Sequence, residues 1–202
     1  MKRFLALIAL AASSTLASAQ ASATATKRAD LQLGGSFSIA RPDCSFIYNA
    51  PADCDTFKFK GYGIYGDLDW KYHLGLEIDF HQVQGTDPII YERTYEVGPR
   101  FSYPIGSRLV PYVKAMYGRG VFNFPGFVTT TGGVQEVNVA NLAYNIYTAG
   151  GGLDLKVLPG LNIRVIDFEY QRWGNFPPKN INPAVLSFGV AYHFHGGDRF
   201  GR

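Results

Sequence analysis

The residues able to do chemistry are few and scattered. Asp79 and His81 stand two positions apart, which on an extended chain puts an imidazole and a carboxylate on one face. Such a pair is part of what a general base requires. No His-x-Ser pairing accompanies it, and His73, His193 and His195 lie far along the chain. Asp79 and His81 therefore read as members of a polar interior, and no catalytic, cofactor or metal site is expected. Gly150-Gly151-Gly152 lacks the Lys and Ser/Thr of a phosphate loop. Inside a strand it marks a bend or a close approach of neighbours. Cys44 and Cys54 share one loop containing Pro and Asp, with no His or further Cys nearby to complete a tetrahedral shell. In an oxidising compartment they are expected to form a disulfide.

Export is implied by the first residues. Lys2 and Arg3 precede the apolar run Phe4 to Ala12, and Ala17-Ser18-Ala19 has the small-residue cleavage pattern of a signal peptide. Residues 1–19 are expected to be removed, and 20–30, rich in Ala, Ser and Thr, to form a flexible lead-in. Hydrophobic residues make up 47% of the 202, yet mean hydropathy is close to zero. Apolar residues are thus interspersed, and after the leader no run reaches the roughly 20 that a membrane helix needs. A net charge of +3 without a basic stripe argues against nucleic-acid binding.

The elements that hold these residues repeat with a period of two. Leu31, Leu33, Phe37 and Ile39 alternate with polar or small residues, and so do Tyr62, Ile64, Leu68 and Trp70. Leu74, Leu76, Ile78 and Phe80 continue the pattern, which recurs through 90–103, 111–121, 144–157, 161–173 and 186–194. About eight strands result. Short connections alternate with long ones, 41–56, 123–143 and 174–182, with 84–88 the short exception, as in barrels with short periplasmic turns and longer outer loops. Two places break the scheme. Pro99 falls mid-strand and demands a bulge or local break. Asn162 and Arg164 share parity with the later apolar face, so either a bulge near Val165 or an Arg164 side chain reaching the interface is needed.

Alternation alone does not say which face is inside. An apolar interior would make a soluble ligand carrier, and an apolar exterior a membrane barrel. The apolar face ends in Trp70, Tyr103, Tyr62, Tyr91 and Tyr147, as aromatic girdles do. Its opposite combines glycine with Asp67, Asp69, Glu77, Asp79, Glu92, Glu96, Arg100, Lys114, Asp154, Lys156, Asp167 and Glu169. Charges of both signs fill a narrow lumen if they pair. The expected fold is all-β, a closed antiparallel up-and-down transmembrane β-barrel over 31–194.

The last strand, Ser187-Phe188-Gly189-Val190-Ala191-Tyr192-His193-Phe194, matches the polar-x-Gly-x-x-aromatic-x-aromatic signal read by the outer-membrane assembly machinery. With it the chain resembles the small OmpA/OmpX-like outer-membrane barrel superfamily. The resemblance makes Ser187, Gly189, Tyr192 and Phe194 an assembly signal and implies a Gram-negative outer membrane, with lipid and lipopolysaccharide as surroundings. Residues 195–202 extend past the terminal aromatic as a periplasmic tail, too short for a cell-wall-binding domain. The expected role is structural or surface interaction by a monomer with a charge-filled lumen. A lipid A-modifying enzyme, a narrow solute channel and a soluble ligand carrier are the alternatives, and the long loops offer a surface for an extracellular partner.

Overall fold

A computed structural model describes residues 29–41, 43, 58–70, 73–85, 90–130, 133–176 and 180–194. The leader, Cys44, Cys54 and the tail 195–202 lie outside them. Eight strands follow in order: β1 (Ala29–Arg41), β2 (Phe59–Trp70), β3 (Leu74–Gln84), β4 (Tyr91–Ser102), β5 (Leu109–Thr130), β6 (Gly133–Leu158), β7 (Leu161–Trp173) and β8 (Ala184–Phe194). Each pairs antiparallel with the next, and β8 returns to β1, closing the barrel. Closure leaves no edge, so within the wall every strand has a neighbour on both sides. β1 begins at Ala29, two residues before the expected Leu31, because Ala29 and Asp30 still pair with Trp70 and Asp69.

The faces divide by chemistry. In β4, Glu92, Thr94, Glu96 and Arg100 are buried inward, while Tyr95, Val97 and Phe101 are exposed outward. Tyr62 is 74%, Ile64 64% and Val113 60% exposed. Such an apolar exterior requires a lipid solvent, since in water it would form one continuous sticky surface. Trp70 stands eight positions beyond Tyr62 on β2, about 27 Å of strand and about 20 Å of height after tilting. That spacing suits two aromatic belts bounding a hydrocarbon layer.

The β2–β3, β4–β5 and β6–β7 connections share one end with the start of β1 and the end of β8, here the turn end. The other connections share the opposite, hairpin end. A long loop over Asn123–Ala143 was expected there, and the structure corrects this. The ladder continues from Phe124↔Val139 to Thr130↔Gly133, after a register irregularity between Phe122 and Phe124. Val128, Thr129, Thr130, Val134, Val137 and Val139 favour extended backbone, enough for a two-stranded extension. Pro125 is tolerated because, among the described residues, β5 beyond Asn123 pairs only with β6.

Both irregularities expected from the sequence have a physical form. At Pro99 the β4–β5 pairing lapses across Gly98 and Pro99, while Val97↔Tyr117 and Arg100↔Lys114 keep one register on either side. The missing N–H thus costs a local break without a slip. In β7 the register with β8 shifts between Arg164 and Asp167, and Val165 and Ile166 are both outward. This bulge at Val165 turns Arg164 inward, so of the two readings of Arg164 the interfacial one does not occur.

Candidate functional site

The lumen is built in tiers. In the half nearer the turn end, three cations from three strands meet the carboxylates of four. Arg164 Nη2 lies 2.9 Å from Asp67 Oδ2, its Nη1 3.0 Å from Glu77 Oε1 and its Nε 3.2 Å from Asp154 Oδ1. Arg100 brings Nη1 within 2.5 Å of Asp67 Oδ2 and Nη2 within 2.5 Å of Asp154 Oδ2. Lys114 Nζ is 2.7 Å from each of Glu77 Oε1, Asp167 Oδ2 and Glu169 Oε1. Gln32 donates to Asp67 and Asp154, and Asn162 donates to Gln32 Oε1 at 2.7 Å. The guanidinium carbon of Arg164 stands 3.7 Å from the Tyr65 ring centroid, and that of Arg100 4.0 Å from Tyr112. Charges buried this deeply persist only when paired and hydrogen-bonded, and planar guanidinium groups both fork onto carboxylates and stack on rings.

Further along, the groups become fewer and less charged. His81 Nδ1 is 3.0 Å from both Asp79 Oδ1 and Thr94 Oγ1. Gln171 Nε2 donates to Glu96 Oε1 at 3.1 Å, and Gln171 Oε1 accepts the Trp173 indole N–H at 3.1 Å. Trp173 begins the last tier, an apolar plug inside the hairpin end. Its ring meets Phe122 edge-on at 6.4 Å, and Phe122 meets Phe176 at 5.8 Å. Phe59, Val83, Ile146, Ile181 and Val185 complete the plug, all buried.

Glycines make room for these rings. A Cβ on Gly120 would stand 2.5 Å from the Trp173 ring, and one on Gly152 2.2 Å from Ile166 O and 2.6 Å from Tyr112 Oη. The glycine run of β6 is thus a place of close approach.

Of the residues singled out from the sequence, Asp67, Glu77, Asp79, Glu92, Glu96, Arg100, Lys114, Asp154, Asp167 and Glu169 are buried and inward, and most share the contacts above. Asp69 and Lys156 point the same way but are only half-buried, nearer the turn end. On β8, the Ser187 hydroxyl is 2.8 Å from that of Ser38, while the Tyr192 and Phe194 rings meet at 4.9 Å on the outer face. Sequence reasoning missed Tyr65, Tyr112, Gln32 and the whole plug, and left Asn162 and Arg164 between a bulge near Val165 and the interface, of which the structure has the bulge. Asp79, His81 and Glu169, and separately Glu77, Asp167 and Glu169, bring ligand atoms within 4.8 Å of one another. In the second group the Lys114 ammonium already supplies the cation.

Residues 7–194 match a family model described as an outer membrane protein beta-barrel domain. No curated protein matches the chain in sequence. Among solved structures the chain is similar to the outer membrane protein OprG from Pseudomonas aeruginosa, at 10% identity and a TM-score of 0.52, over 84% of this chain and 97% of that one. It is also similar to Neisserial surface protein A, at 16% identity and a TM-score of 0.51, over 82% of this chain and 97% of that one. At such identities the likeness is one of fold.

Proposed function

Since the chain belongs to this outer-membrane β-barrel family and sits in the bacterial outer membrane, we propose that it is a closed, non-conducting barrel that acts through its outer surfaces. The observation that carries this reading is the doubly filled lumen. A permeating ion would first meet the Arg100, Lys114 and Arg164 network, where every cation is held by two or more carboxylates. It would then meet Trp173 and Phe122, which offer it no polar partner. Surface action fits the β5–β6 ribbon, which carries its strand ladder to Thr130 and Gly133 and presents backbone edges to an extracellular partner.

The same geometry speaks against lipid-directed catalysis. His81 is 2% exposed and bonded within the lumen, whereas a base acting on a membrane lipid must reach the outer wall. The exposed apolar exterior and charged interior are likewise the inverse of a soluble ligand carrier.

Planar-bilayer recording of the refolded chain tests the proposal. The expected result is insertion without stable conductance. A large, long-lived open state would overturn it.

A further inference from the structure

Just past the tyrosine belt on the hairpin side, the outer wall changes in a regular way. On four strands a cation stands two positions beyond an outward tyrosine: Lys60 past Tyr62, Arg93 past Tyr95, Arg119 past Tyr117 and Arg172 past Tyr170. A step of two keeps both side chains on one face and moves about 7 Å along the strand. The intervening β3 and β6 place amides at this level, Gln82 past Phe80 and Asn145 past Tyr147. Lys60, Arg119 and Arg172 are exposed and Arg93 is half-buried.

Among the described wall residues, outside the β5–β6 ribbon beyond Asn123, every strand Asp and Glu has inward parity, so none stands on the outer face beside these cations. Nor does the turn end mirror the row: beyond its belt stand Ile105 and Leu109, with Arg108 the one exposed cation among the described residues of those turns.

Neighbouring groups orient the cations along the wall. Arg93 Nε donates to Gln82 Oε1 at 2.8 Å, and its guanidinium carbon lies 5.2 Å from the Tyr91 ring centroid. Arg119 Nη1 donates to Asn145 Oδ1 at 2.7 Å. Between β1 and β3, Phe37, Lys60, Tyr62, Gln82 and Gln84 line an outward groove of about 470 Å³. Its floor is aromatic, and its rim carries one ammonium and two amides.

We propose that this row binds the phosphate groups of the anionic lipid in the outer leaflet, with the groove beside Lys60 seating a phosphorylated head group. The inference rests on the membrane-barrel reading with the hairpin end outward. Acyl chains would lie on the tyrosines and aliphatics below, and phosphates would meet the cations one step above. Phosphate oxygens accept forked bonds from arginine and a point charge from lysine, and both strengthen where water thins at the interface. Amphipathic tyrosine beneath a basic level matches the boundary between hydrocarbon and head group.

The chain is refolded into phosphocholine nanodiscs doped equally with bisphosphorylated lipid A and its dephosphorylated form, then extracted in mild detergent. Co-purifying lipid is measured by mass spectrometry. The expected result is about tenfold enrichment of the phosphorylated form. Enrichment is lost in K60Q/R93Q/R119Q, retained in K60R/R93K/R119K, and unaffected by millimolar inorganic phosphate. Equal recovery of the two lipids by the unmodified chain, undiminished enrichment in the glutamine variant, or displacement by inorganic phosphate overturns the proposal. Heat-modifiable migration of each variant reports folding, and the charge-retaining variant tests phosphate binding if the glutamine variant does not fold. Bilayer recording of the same preparation separates the two readings: a silent barrel without enrichment fails this inference alone.

Discussion

The Lys114 ammonium sits at the convergence of Glu77, Asp167 and Glu169, 2.7 Å from each. Methionine matches its reach but not its charge. Lys114→Met should therefore cost about 3–5 kcal/mol, because three buried carboxylates lose their shared cation. The measurement is the midpoint of urea unfolding in detergent micelles, and an unchanged midpoint would show that these carboxylates do not depend on Lys114. Lys114, Asp167 and Glu169 were legible in the sequence because each alternates with apolar residues over an unbroken stretch. Arg164 was legible only as one of two readings, because the extra residue at Val165 reverses the parity on which the assignment depends. Tyr65 and Tyr112 carry inward parity, but their residue type points equally well to a lipid belt. What keeps them inside is stacking on guanidinium groups from other strands, a contact between distant parts of the chain.

At the scale of elements, strand number followed from alternation alone, and so did phase in every strand but β7. The strand ends followed less well. The residues of 123–143 include Pro125, Gly126, Gly132 and Gly133, which read as loop punctuation, yet their β-branched neighbours extend two strands beyond the wall. The plug was hidden for a related reason: Phe59, Phe122 and Trp173 stand where the strands run into connections, and an apolar residue near a strand end has no single assignment. Because the ribbon beyond the irregularity at Phe122 and Phe124 pairs, among the described residues, only within itself, it is separable. Deleting 124–142 and joining the stumps through a short Gly-Asn turn should leave heat-modifiable migration intact. Loss of the compact, faster-migrating form would show that the ribbon stabilises the wall.

Across the whole molecule, the lumen is filled at two levels, by the charge network and by the apolar plug. Trp173→Ala should remove about 3–5 kcal/mol of stability, since the cavity left among Phe122, Phe176 and Gly120 cannot collapse within a rigid wall. It should nevertheless produce no conductance, because the Arg100 and Arg164 network below is untouched. Paired thermal melts and bilayer recordings test this, and a conducting Trp173→Ala barrel would make the plug the sole gate. The network also bears on how the chain reaches its final form. Its members come from β1 through β7, and Ser38 and Ser187 tie β1 to β8. A half-assembled sheet would bring together only part of this set, leaving carboxylates of one strand without the arginine of another. Long-range pairing of this kind is slow to form, and here it goes unrewarded until the first and last strands meet. The interior charges thus penalise every partly zipped species, so the barrel should fold and unfold in one cooperative step, with its seam as the bottleneck.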